Sequence, residues 1–164
     1  MKHILLGVSL VMLLAVLGGR ALAVDIVVKK DTRCAVCGMF VAKYPNWVTR
    51  ATLSDGQTEY FDGVKDMMAY FFAPQKYGAK AGVTVSELTV NDYYTLSPVN
   101  AKQAFFVMGG DVPGPMGPDL VPFASKAAAE SFSHDHHGHK VLAFSELTAE
   151  LIEKIRSGSK MMMN

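Results

Sequence analysis

Six consecutive residues, Cys34-Ala35-Val36-Cys37-Gly38-Met39, hold the densest chemistry of the 164-residue chain. Two thiols separated by two residues can grip one ion together, and a thioether follows two positions later. Thiolate and thioether are soft donors, and sets of them select Cu(I), whereas oxygen ligands suit Mg or Ca. A structural zinc site takes four protein ligands, commonly two Cys-x-x-Cys pairs, and Cys34 and Cys37 are the chain's two cysteines. Covalent c-type haem requires His directly after the second cysteine, where Gly38 stands. The competing chemistry is thiol–disulfide exchange. In a thioredoxin-like protein the Cys-x-x-Cys pair opens a helix, and a glycine after the second cysteine points instead to a loop. A purely structural disulfide would close too small a ring to constrain the unfolded chain much.

Other donors fall into two groups. Met116 lies in Gly114-Pro115-Met116-Gly117-Pro118, where glycines and prolines shape an exposed loop with little core for a methionine to fill. It is either a further thioether ligand or a gap-filler beneath the loop. Met67 and Met68 recur at helical spacing and read as core, as does Met108 after Phe105-Phe106-Val107. His134, His136, His137 and His139 cluster around Asp135. Imidazole suits copper or zinc, yet Gly138 also fits a solvated turn there. Met161 to Met163 sit at the C-terminal end, which reads as a frayed tail. No Gly-x-Ser-x-Gly elbow and no phosphate-cradling glycine loop occur, so nothing supports hydrolysis or group transfer.

These donors need elements to hold them. Val24 to Val28 reads as a strand or arm. Trp47 to Leu53 and Gln57 to Phe61 alternate around Ser54-Asp55-Gly56, an Asp-Gly hairpin. Asp62 is placed to cap a helix carrying Val64, Met67, Met68, Phe71 and Phe72, which Pro74 ends. Val83 to Val90 is a strand, Asn91 to Asn100 a loop, Ala104 to Met108 a short buried strand, and Gly109 to Pro118 a loop with four glycines and three prolines. Leu120 to Phe123 is a strand, Ser125 caps an alanine-rich helix to about Phe132, and Lys140 to Phe144 is a strand. A last helix from Ser145 or Thr148 shows Leu147, Leu151, Ile152 and Ile155 on one side. Phe61-Asp62-Gly63-Val64-Lys65 and Phe123-Ala124-Ser125-Lys126 form a faint echo, each passing from strand to helix after a methionine-bearing loop. The class is α+β, with two β-β-α halves consistent with that echo.

Composition narrows the setting. A formal charge of +1 gives no electrostatic case for nucleic acid, and the apolar content is ample for a core. Lys2 and His3, the apolar run Ile4 to Leu17 and the small-x-small Ala21-Leu22-Ala23 describe a secretory signal peptide over residues 1–23, leaving one domain from Val24 to Asn164. That apolar run falls short of the about 20 residues of a spanning helix. No cysteine directly follows the run, so no acyl anchor is expected. The expectation is a periplasmic, soluble protein.

Cys34 to Met39, Tyr60-Phe61-Asp62, Gly114-Pro115-Met116-Gly117, Val121-Pro122-Phe123 and the alanine-rich helix after it together resemble the NosL family, from about Asp31 to Ile155. Members are copper-binding accessory factors for nitrous oxide reductase. The resemblance implies an organomercurial-lyase-like fold of two halves, about 31–80 and 81–156, and a Cu(I) chaperone rather than an enzyme. It implies a partner that is a copper client, such as nitrous oxide reductase, or a copper transporter. Its Cys-x-Met part falls on Cys37 and Met39, with Met116 from the second half and Cys34 as a secondary ligand. Many members are lipoproteins, and this chain lacks the lipidated cysteine, which leaves room for a relative that serves another copper protein.

Overall fold

Buried and half-buried residues alternate along Thr49–Leu53 (β1), as expected of a strand with two unlike faces. The structure, a computed structural model, describes residues 26–158. The leader and the Met161 to Met163 tail lie outside the described residues, and Ile26 to Val28 forms no strand. At the Asp-Gly turn, the Gly56 amide donates to the Leu53 carbonyl (2.9 Å) and the Gln57 amide to Asp55 Oδ1 (3.1 Å). The chain reverses into Thr58–Phe61 (β2), antiparallel to β1 with Thr49 opposite Phe61.

Val64–Phe72 (α1) follows. Val64, Met67, Met68 and Tyr70 are at most 1% exposed, so both methionines are core. Asp62 does not cap this helix. Gly63 occupies the cap position, and the Lys65 amide donates instead to Asp119 Oδ1 (2.8 Å). The Asp62 carboxylate is turned towards Cys37, so the orphan donor of the first turn is satisfied by a residue 54 positions on from Lys65. Gly63 has φ of 174°, a value any residue adopts, so the demand there is for space: a methyl group would strike the Asp119 carboxylate. Gly63→Ala is expected to destabilise the protein by about 1–3 kcal/mol, the usual cost of overpacking. Urea unfolding reads this as a lower midpoint at constant slope.

Val85–Asn91 (β3) pairs with β1, and Pro98–Asn100 (β4) pairs with β3, giving sheet order β2-β1-β3-β4. The stretch Asn91 to Asn100 is therefore not loop throughout. Asp92 Oδ1 accepts from the Tyr94 and Thr95 amides (3.1 and 2.9 Å) and tightens the reversal. Pro98 then opens an edge strand, where a missing N–H is tolerated.

The second sheet has Phe105–Met108 (β5) between Leu120–Phe123 (β6) and Lys140–Ala143 (β7), all antiparallel. Lys126–Asp135 (α2) is capped by Ser125, whose hydroxyl accepts from the Ala128 amide (3.2 Å). Ala149–Arg156 (α3) is capped likewise by Thr148 on Leu151 (3.2 Å). Along β5, Phe106 enters the main core with Phe61, Met67, Met68, Leu88 and Ile152, while Val107 enters a smaller one with Phe123 and Phe132. The fold is thus α+β with two antiparallel sheets, divided between β4 and β5. Among the described residues no helix is long and apolar enough to cross a membrane.

Candidate metal centre

The cysteine loop is a small hairpin, not a helix start. Arg33 and Phe40 form an antiparallel bridge, the Cys34 amide donates to the Met39 carbonyl (2.8 Å), and the Gly38 amide donates to the Cys34 carbonyl (2.9 Å). Gly38 closes the turn at φ of +78°, the left-handed region that glycine enters without strain. Arg33 secures the base: its Nη1 donates to the Gly38 carbonyl (2.9 Å), and its guanidinium lies 4.0 Å over the Phe40 ring. The Ala35 amide donates to the Tyr60 carbonyl (3.1 Å), which pins the loop to the end of β2.

That contact sets the thiols over the first turn of α1. The Cys37 thiol donates to Asp62 Oδ1 (3.3 Å) and the Cys34 thiol to Asp66 Oδ2 (3.4 Å). Asp66 lies in the first turn of α1, and Asp62 just before its Gly63 cap, so both carboxylates come from the start of one helix. One ligand atom from each of Cys34, Cys37, Asp62 and Asp66 lies within 4.8 Å of the others. Cys34, Asp62 and Asp66 are buried and Cys37 is half-buried, and both thiols are free. Behind them, Arg156 Nε meets Asp66 Oδ1 at 3.4 Å. Asp62 Oδ2 is buried with no hydrogen-bond partner. Buried carboxylate oxygens are rarely left so, and a cation beside the thiols would satisfy it.

Burial raises both thiols. Cys37 is pushed up to about 12 by burial, with the Asp66 and Asp62 carboxylates adding to the rise against the Met39 amide. Cys34 is driven further, again mainly by burial. Reactive Cys-x-x-Cys pairs have depressed values at helix N-termini or beside cations. Here the surroundings favour protonated thiols, which an incoming metal must deprotonate.

The remaining sequence candidates are placed as follows. Met39 is half-buried, and its carbonyl closes the cysteine hairpin. Met116 is 50% exposed at the tip of a second hairpin, where Gly114 and Gly117 exchange amide–carbonyl bonds of 2.8 and 3.1 Å. Lys65 of α1 donates from Nζ to the Met116 carbonyl (2.8 Å), so both methionine hairpins are tied to the segment Tyr60 to Lys65. The histidines do not converge. His134 pairs with Asp135 (3.0 Å) and His136 with Asp111 (2.9 Å), and among the described residues the four-residue thiol–carboxylate group is the cluster with metal-binding geometry. Sequence reasoning missed Asp62 and Asp66 as neighbours of the thiols. The available signal was their four-residue spacing at a helix start, directly after Tyr60-Phe61.

Fold and site together define a small α+β protein that sets a protonated thiol pair, carried on a hairpin, against two carboxylates at a helix start. The family model described as NosL matches residues 25–152, and the chain belongs to that family. A curated relative, the copper-binding lipoprotein NosL of Stutzerimonas stutzeri, is 25% identical over 127 residues, covering 76% of this chain and 66% of the relative. The chain therefore spans just under two thirds of that relative's length. The crystal structure of the copper chaperone NosL from Shewanella denitrificans superposes with a TM-score of 0.66 at 23% identity, over 78% of this chain and 98% of that one, and shows the same fold.

Proposed function

We propose that this chain is a periplasmic carrier of copper(I), not a catalyst, with Cys37, Met39 and Met116 binding one Cu(I) and Cys34 beside them. The observation that carries the reading is the pair of free thiols, one buried and one half-buried, grouped with Asp66 and with Asp62, whose second oxygen is buried and unpartnered. The names of the relatives, a copper-binding lipoprotein and a copper chaperone, support copper as the cargo. Cu(I) tolerates low coordination and prefers sulfur. A thiolate–thioether set leaves room for a partner's ligand to attack and take the ion, which a closed tetrahedral zinc shell does not. Asp62 and Asp66 draw a cation in. They also repel the thiolates they face, which keeps the ion exchangeable. The client is a copper protein such as nitrous oxide reductase, reached after export by the leader over residues 1–23.

Anaerobic titration of reduced protein is expected to give one Cu(I) per chain. Met39→Leu and Met116→Leu keep volume and remove one neutral donor each. Each is expected to weaken Cu(I) by about 10-fold, the low end of what loss of a ligand-supporting group costs, in competition with a chromophoric chelator. A variant with His134, His136, His137 and His139 all changed to Ala is expected to keep wild-type affinity. Loss of copper in that variant alone would move the ion to the histidines.

A further inference from the structure

Lys65 is buried, 6% exposed, and the thiols do not use it. Its Nζ donates to two main-chain carbonyls of the second hairpin, Met116 O and Pro118 O, each at 2.8 Å. Its own amide holds Asp119 Oδ1 (2.8 Å), the residue directly after Pro118. The hairpin needs such a hold. A cavity of about 410 Å³ lies against the loop, lined by Val112, Pro113, Pro118, Asp119 and Ile155 among others. The residues on either side of the Gly114–Gly117 hairpin, Pro113 and Pro118, thus border open space rather than packed core. At its other end the loop is tied by Asp111, whose amide donates to the His136 carbonyl (3.1 Å) and whose carboxylate meets the His136 ring (2.9 Å). Between the two ties, Pro115 and Met116 form the tip of a Gly114–Gly117 pair. Lys65 is also the helical neighbour of Asp66, so the first turn of α1 carries both a carboxylate that faces a cysteine and the ammonium that grips the methionine loop, with Asp62 just ahead of the Gly63 cap.

We infer that Lys65 is a positioning residue that holds the Met116 thioether at the copper centre by gripping the carbonyls of its hairpin. The inference rests on the reading of Met116 as a Cu(I) ligand. An ammonium can bridge two carbonyls on one short segment because it carries three rotatable donors and no acceptor. Removing it releases the carbonyls of Met116 and Pro118 without touching either thiol.

The test is a double-mutant cycle on Cu(I) affinity, using Lys65→Leu, Met116→Leu and the double variant, with the number of sulfur scatterers from copper X-ray absorption as a second readout. Lys65→Leu alone is expected to weaken Cu(I) by about 10-fold and to remove one sulfur, as Met116→Leu does; loss of a group that orients a ligand typically costs 10- to 100-fold. In the Met116→Leu background the Lys65 change is expected to alter affinity by less than about twofold. Lys65→Arg, which keeps donors for the carbonyls, is expected to retain the sulfur count, and it serves as the test if Lys65→Leu fails to fold. Equal losses in both backgrounds, or an unchanged sulfur count in Lys65→Leu, overturn the positioning role. Loss of that sulfur in the Lys65→Arg variant also overturns it. If Met116→Leu itself leaves affinity and sulfur count at wild-type values, the ligand reading of Met116 fails first, and Lys65 falls with it.

Discussion

Cys37→Ser is expected to lower Cu(I) affinity by more than about 100-fold, beyond the range for groups that merely support a ligand. Cys37 is the more accessible thiol, half-buried where Cys34 is 3% exposed. It is held by the hairpin opposite the carboxylate whose second oxygen lacks a partner. Its thiolate is the anionic donor of the set. Serine keeps the size and offers an oxygen that Cu(I) binds poorly. Cys34→Ser is expected to cost less, because that thiol lies deeper and donates to Asp66, which Arg156 already engages. Chelator competition on both variants under anaerobic conditions ranks them. A larger loss at Cys34 would reverse the order of the two ligands.

A second large effect is expected from pH. With Cys37 raised to about 12 and Cys34 raised further, the copper-free site holds both protons throughout the neutral range. Thiolate is the ligand, so each thiol that binds releases one proton. Affinity therefore rises with pH, by about 10-fold per unit for one bound thiolate and about 100-fold per unit for two. The sign follows from the raised values: protonation competes with copper until pH exceeds that of the free thiol. An ordinary cysteine, near 8.5, would let this dependence level off above about pH 9. Here the slope is expected to persist to pH 10 without flattening. Affinities measured from pH 6 to 10, corrected for the chelator's own titration, give both the number of thiolates bound and the displacement of their titration. A plateau beginning at pH 8 to 9 would show that the thiols are not displaced by their surroundings.

Much of the architecture was legible from local chemistry. The Asp55-Gly56 turn, the Ser125 cap and the helical spacing of Val64, Met67 and Met68 act over a few residues, and the structure has each of them. Pro98–Asn100 was not legible. It is a strand because β3 offers it an edge, and three residues show no periodicity by themselves.

The sequence by itself determined the thiol pair, the methionine two residues beyond it, the hairpin and helix that follow, and the second methionine loop. It could not determine which acids meet the thiols. Asp62 before a helix has two uses, to cap the first turn or to face outward, and local preference favours the cap. Only the tertiary structure decided between them: Asp119, 54 positions on from Lys65, takes the amide of the first turn, so Asp62 remains free to meet Cys37. Lys65 reads in sequence as an ordinary helix lysine, and becomes a buried grip on the Met116 hairpin when the second half docks. The physical reason is the same in both cases. A buried polar group is assigned by whichever partner the packed chain brings within hydrogen-bond reach, and spacing along the sequence does not encode that partner.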